Sequence, residues 1–194
     1  YNKVYMKNST DLNVNIKTLL EAPLKFKIQK SGSPQVLIMH THTTETFMET
    51  EENFYTENSK SRTTDNNKNM VKIGDIVAER LNNAGINTLH DATKHDYPEY
   101  TGSYGRSAKT VNSYLSKYND IKIVLDLHRD SVSSGSDKVK LCTEIEGKKA
   151  AQVMLVMGSQ SGSIKDHPNW QENLKLAVTL QQTLEQKYPT LARP

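Results

Sequence analysis

Two stretches of the chain are strongly apolar and short: Val36-Leu37-Ile38-Met39, and Ile121 to Leu127 with only Lys122 and Asp126 interrupting. The first is bounded upstream by Gly32 and Pro34, and runs of this length fit buried strands better than helices. Between them the period changes. Met70, Ile73, Val77, Leu81 and Ala84 step by three and four, with Asp65 or Asn66 placed to cap and Gly85 placed as a left-handed terminator, which predicts a helix over 69–84. Ile86 to His90 follows as a short strand, and Ser103 caps a second helix over 104–117 with Ala108, Val111, Leu115 and Tyr118 inward. Strand, helix and strand in alternation argue for parallel pairing with right-handed crossovers, so Val36–Met39 and Ile121–Leu127 are expected as parallel neighbours. The expected fold class is α/β: a mostly parallel central sheet with helices on both faces.

The flanks carry weaker patterns. Asp11 to Glu21 has helix-like spacing, and Ser31 to Pro34 then breaks the chain, so residues 1–33 read as a lead-in packed on a domain spanning 34–194. Thr46 to Asn67 is a long polar loop of the kind that often serves as a lid. Ser131 to Asp137 reads as a loop, Val139 to Ile145 as a half-exposed strand, Ala151 to Met157 as an inner strand buried on both faces, and Gly158 to Asp166 as a small-residue loop. A last helix starts near Asn169, with Glu172 as capping partner and Trp170, Leu174, Ala177, Leu180 and Leu184 inward.

Composition narrows the function classes. The 194 residues are 35% hydrophobic, low but clustered in periodic segments, which suits one folded domain rather than a disordered chain. A net charge of +3 comes from lysines mixed with acids, without the basic run or aromatic interleaving that tracks nucleic acid. Cys142 is the sole cysteine, so an internal disulfide and a cysteine-rich zinc motif are both excluded, and the thiol is expected to be buried. No apolar run reaches the roughly 18 to 20 residues of a membrane span. The chain begins at Tyr1, which suggests a fragment whose targeting segment has been removed.

Chemistry gathers where the strands end. Val36–Met39 runs directly into His40-Thr41-His42-Thr43-Thr44-Glu45, and the H-x-x-E spacing of His42 and Glu45 lets a tight loop aim an imidazole and a carboxylate at one point. The second apolar run ends in His128-Arg129-Asp130. Two parallel neighbouring strands would bring His42, Glu45 and His128 together as ligands of a hydrolytic Zn2+ site, which takes three protein ligands and keeps one position for water. His40 competes with His42 because side chains two apart in an extended chain share a face. The alternative is that these are ordinary satisfied histidines. Arg129 and Asp130 are candidates to orient a ligand or a substrate carboxylate, and a strand-end salt bridge is the other reading. His95-Asp96, with Tyr97, Tyr100 and Tyr104, either lines a substrate groove or packs a loop on the sheet. Asp126 shares a face with His128 and is placed to support it. Arg106 reads as structural, and His90 and His167 as turn residues.

HTHTTE at 40–45, RTTDNNKN at 62–69, HDYPEYTGSYGRS at 95–107, VLDLHRD at 124–130 and HPNWQENLKLA at 167–177 together resemble the stage II sporulation protein P family, in order from about Pro34 to Pro194. The resemblance implies an extracytoplasmic, zinc-dependent peptidoglycan hydrolase of endospore-forming bacteria. It would cut the amide between N-acetylmuramic acid and L-alanine, with endopeptidase activity also attributed to the family. It further implies a fold like that of zinc-dependent N-acetylmuramoyl-L-alanine amidases, an N-terminal membrane anchor, and action in engulfment beside stage II sporulation protein D and other engulfment proteins. The metal histidines of such amidases map onto His42 or His40 and onto His128. Glu45 is the choice for the acidic ligand, with Asp65 open. The family is expected to continue past Leu191–Pro194 into a strand carrying a glutamate general base, so the sequence shown is expected to lack that base. The competing function is a non-catalytic wall-binding or scaffold domain of a sporulation complex.

Overall fold

Val36, Leu37, Ile38 and Met39 are each at most 3% exposed. Burying side chains of this size contributes roughly 1.5–3 kcal/mol apiece, so a sheet organised around them is the expected outcome. In the computed structural model, which describes residues 1, 3–30, 32–52, 54–56, 59–161 and 167–193, the elements in chain order are α1 (Ile16–Glu21), β1 (Val36–Met39), α2 (Met70–Asn83), β2 (Thr88–His90), α3 (Ser103–Lys117), β3 (Ile123–Asp126), β4 (Val132–Ser134), β5 (Asp137–Val139), β6 (Cys142–Ile145), β7 (Lys148–Ala151) and α4 (Trp170–Lys187). The chain forms two compact units: Ile28–Asp130, and Tyr1–Lys27 with Ser131–Pro194. The fold is mixed α/β with a small parallel sheet.

In the unit Ile28–Asp130 the sheet has the order β2-β1-β3, all parallel. The register pairs Val36 with Ile123 and Met39 with Asp126, so β1 and β3 are the parallel neighbours their apolar runs predict. Helix α2 lies against the face of Val36 and Ile38, through Val77, Ala78 and Leu81. Its buried stripe is Met70, Val71, Gly74 and Ala78, while Ile73 faces outward at 38% exposure. The cap is Asn69, whose side chain accepts from Val71 N, rather than Asp65 or Asn66. Gly85 takes φ +82 just past the helix, the left-handed position that favours glycine. Strand β2 is shorter than Ile86–His90.

Residues alternating with Val36 and Ile38 point to the opposite side of β1. There Thr41 Oγ1, two residues beyond the strand, lies within hydrogen-bond distance of Ser107 Oγ of α3 at 2.8 Å. Helix α3 starts at Ser103, but its N-cap is Gly102 and no side chain caps it. Its buried positions are Ser103 and Ser107; Ala108 and Leu115 are exposed. The apolar period misplaces this face because α3 docks by hydroxyl hydrogen bonds, including Tyr114 Oη to Asp91 at 3.1 Å.

The other unit departs further from expectation. α1 covers only the end of the 11–21 segment: Asn8 and Thr10 side chains bond backbone at 8–12 and favour turns there, and the helix starts behind the Asn15 cap. Ser131 to Ile145 forms parts of two antiparallel hairpins, β4-β5 and β6-β7, not a loop and one strand. Ala151 to Met157 is not an inner strand: β7 ends at Ala151, Val153 alone makes a bridge, to Ala192, and Val156 is 71% exposed. Cys142 is exposed on β6. α4 buries Ala177, Val178, Gln181 and Glu185, with Leu180 39% exposed. Gln181 accepts from Tyr5 N, and Glu185 from Ala192 N and Thr190 N, so polar contacts again set the inner face. Glu172 accepts from Lys25 N and Lys175 Nζ rather than closing a capping box. Part of the 158–166 loop, residues 162–166, lies outside the described residues. Among the described residues, no helix is long and apolar enough to cross a membrane.

Candidate functional site

β1 and β3 run parallel, so the segments leaving their C-terminal ends emerge side by side, the usual place for a site in a parallel sheet. From β1 the chain turns through 41–44 and then pairs Glu45 with Arg62 and Thr46 with Asn69 in isolated antiparallel bridges. Thr63 N donates to Thr44 O at 2.7 Å and Thr46 N to Ser61 O at 3.1 Å, so the base of the long polar loop is fastened along the histidine segment.

His42, Glu45 and His128 meet here. The rings of His42 and His128 are edge to face with centroids 5.2 Å apart, and His128 Nδ1 is 3.8 Å from Glu45 Oε2. Glu45 Oε2 accepts from Arg129 N at 2.9 Å, and Oε1 is 3.4 Å from Arg62. His128 Nε2 lies 3.0 Å from Asp126 Oδ2, and Asp126 also accepts from Thr41 N and Oγ1. The Asp126 hydrogen bond raises the His128 pKa against a desolvation penalty. Burial pushes the Asp126 carboxyl up, but hydrogen bonds from His128 and Thr41 outweigh it and the net direction is down. His42 is shifted down by burial, which favours the neutral imidazole. Its Nε2 is 3.2 Å from Tyr100 Oη, and its ring stacks on Tyr100 and meets Tyr104 edge on. Desolvation raises Tyr104, so its hydroxyl keeps its proton.

His40 lies apart from this group. Its Nδ1–H donates to Leu127 O at 3.0 Å, and its Nε2 is 2.9 Å from His90 Nε2. His90 Nδ1–H donates to Asp75. With both Nδ1 atoms turned to oxygen acceptors, the two Nε2 atoms face each other across this contact. His90 is thus a strand-end residue bound to His40, not a turn residue. Burial shifts His40 down. The array fits only because residue 74 is glycine: a Cβ there would lie 2.3 Å from His90 Nε2.

His95 and Asp96, read as groove candidates, are 2% and 6% exposed. His95 bonds His40 O at 2.7 Å and Thr110 Oγ1 at 2.9 Å. Asp96 accepts from Thr44 N, Thr44 Oγ1 and, at 2.5 Å, Arg62. Tyr97, Tyr100 and Tyr104 are 54–65% exposed. Arg106 ties this loop to α3 by donating to the carbonyls of His95, Thr101 and Glu99. Asp65 forms its own turn with Asn67. Arg129 donates to Asp130 O and Ser61 O, and its Nε is buried without a partner. Sequence reasoning missed Arg62, which joins Glu45, Asp96 and the face of Tyr100 at 4.7 Å. Its signal in the sequence is its place at the head of the RTTDNNKN block, inside an otherwise polar loop.

Two imidazoles and a carboxylate within one cluster, one imidazole backed by Asp126, suit a zinc ion by donor chemistry. The donors as placed are engaged with protein partners, and among the described residues no three His, Cys, Asp or Glu side chains converge on one metal position. No solved structure matches the chain. A curated relative, Stage II sporulation protein P of Bacillus subtilis (strain 168), is 28% identical over 171 residues, covering 84% of this chain and 39% of that protein. The chain thus spans about two fifths of that relative's length. Residues 2–194 match the family described as Stage II sporulation protein P (SpoIIP). With nearly the whole chain matched, this protein belongs to the stage II sporulation protein P family.

Proposed function

We propose that the chain is a zinc-dependent peptidoglycan hydrolase of sporulation, an N-acetylmuramoyl-L-alanine amidase with cleavage of stem peptides as a second activity. The observation that carries this reading is the meeting of His42, Glu45 and His128 at the ends of two adjacent parallel strands. These three would hold the metal, which when bound polarises a carbonyl and acidifies a water. Burial keeps the His42 imidazole neutral and ready to ligate. Asp126 accepts the Nε2 proton of His128 and leaves Nδ1, the nitrogen on the Glu45 side, as the ligating atom. Arg62 and Arg129 N fix the Glu45 carboxylate. Tyr104 retains a proton with which to donate to a substrate oxygen, and Tyr97 and Tyr100 wall the adjoining cleft.

Family membership supports the sporulation setting; the extracytoplasmic, membrane-anchored location, the amidase-like fold and partnership with stage II sporulation protein D are parts of the same proposal. Dye release from labelled peptidoglycan, paired with zinc titration, tests the reading. The wild-type chain should take up one zinc, and His42→Ala and His128→Ala should each weaken zinc binding about 10- to 100-fold or more and reduce release in step. Tight zinc binding without release in any longer form of the protein would instead favour a wall-binding domain.

A further inference from the structure

Beside His42 lies a cleft of about 540 Å³ lined by Thr44, Lys60, Arg62, Asp96, Tyr97 and Tyr100, among others. Its charges are unequal in reach. The Asp96 side chain is fully buried and accepts from Thr44 N, Thr44 Oγ1 and Arg62, so its charge is already answered from within the protein. Arg62 divides itself between Asp96 and Glu45, and its side chain is 37% exposed. Lys60 is exposed and, among the described residues, has no hydrogen bond or ion pair. What a solute meets on entering is therefore positive charge, the hydroxyls of Thr63 and Thr64, and the rings of Tyr97 and Tyr100. Tyr100 links the cleft to the candidate centre, since its hydroxyl is 3.2 Å from His42 Nε2.

We infer that this cleft is the subsite for a carboxylate of an acidic peptide substrate, and that Lys60 selects for that carboxylate. The inference rests on the hydrolase reading for its substrate and adds to it the group that is recognised. An exposed ammonium in the lining of a cleft gains a charge-assisted hydrogen bond from a carboxylate and nothing comparable from an amide. Arg62 is unsuited to the role because turning to a ligand would strip the buried Asp96 of its cation.

The test is isothermal titration of the full chain, kept in chelator so that the probes are not cleaved, with N-acetylmuramoyl-L-alanyl-D-glutamate and with its diamide. Wild type should bind the acid about tenfold more tightly than the diamide, the worth of one charge-assisted hydrogen bond. Lys60→Glu should abolish the preference and Lys60→Arg should keep it, with melting temperatures unchanged because residue 60 is exposed. On cleavable substrate, Lys60→Glu should raise KM for the acid and leave kcat within about twofold, since the residue binds ground and transition states alike. Wild type that binds both probes equally, or Lys60→Glu that retains the preference, overturns the inference. A chain that prefers the acid yet never cleaves any substrate overturns the hydrolase reading and leaves the subsite standing.

Discussion

The pairing of His128 with Asp126 makes stability depend on pH in a direction that can be worked out. His128 is raised, so its contribution is complete below the unfolded value of about 6.5 and disappears as pH rises through the folded value. Asp126 is lowered, so its contribution is complete above about 3.9 and disappears as pH falls through the folded value. His40 and His42 are lowered and act the other way, costing stability as pH falls below about 6.5. Comparing wild type with His128→Gln in chelator isolates the pair: the difference in Tm should be larger at pH 5.5 than at pH 9. Equal differences at both would show that the pair is not charged in the fold. Arg62→Ala should cost roughly 1–3 kcal/mol in urea denaturation by leaving the buried Asp96 carboxylate under-satisfied. The loss should shrink in an Asp96→Asn background, so that the double mutant is not the sum of the singles. That His42, Glu45 and His128 come together was legible in the sequence because each follows an apolar run closely. Arg62 and His90 could not, because their partners Asp96 and His40 are 34 and 50 residues away and nothing local encodes the meeting.

Among the elements, α2 is held by two requirements that oppose its intrinsic preference. Alanine in place of Gly74 would gain about 1 kcal/mol of helix propensity, but its Cβ would meet His90 Nε2 at 2.3 Å and His40 Nε2 at 2.7 Å. Overpacking of this kind costs typically about 1–3 kcal/mol, so Gly74→Ala should be net destabilising, and His90→Ala in the same chain should recover part of the loss. A Gly74→Ala variant as stable as wild type in a thermal melt would mean that the histidine pair is not packed against the helix. Asn69→Ala removes the cap on Val71 N and the bond to Thr63 O, and should cost about 1 kcal/mol. β1 and the extent of α2 were legible because burial dictates their patterns, and β3 was legible as an apolar run although it alternates between half-buried and exposed positions. The inner faces of α3 and α4 were not: Ser103, Ser107, Gln181 and Glu185 turn inward to make hydrogen bonds, and an apolar period carries no information about those. The hairpins β4-β5 and β6-β7 were illegible for the complementary reason, being short and mostly exposed.

At the scale of the whole molecule, every candidate ligand lies in the continuous unit Ile28–Asp130, whereas the other unit needs both ends of the chain. A protein comprising 28–130 alone should therefore fold cooperatively and bind zinc with an affinity close to that of the full chain. Circular dichroism and a competitive zinc titration would check this, and a fragment that is unfolded even with saturating zinc would contradict it. The central strand of this unit also imposes a waiting time. Its apolar residues pair with β3, and His40 bonds a carbonyl 87 residues further on. Its first neighbour is nearer, since Val36 pairs with Thr88 of β2, and at ribosomal rates of about 5–20 residues per second even that shorter separation corresponds to about 3–10 s in which the newly made β1 has no edge to join. Throughout that interval the most hydrophobic tetrapeptide ahead of the histidines is an adhesive segment, and a holding chaperone that binds extended apolar peptides would find it before its own strand does.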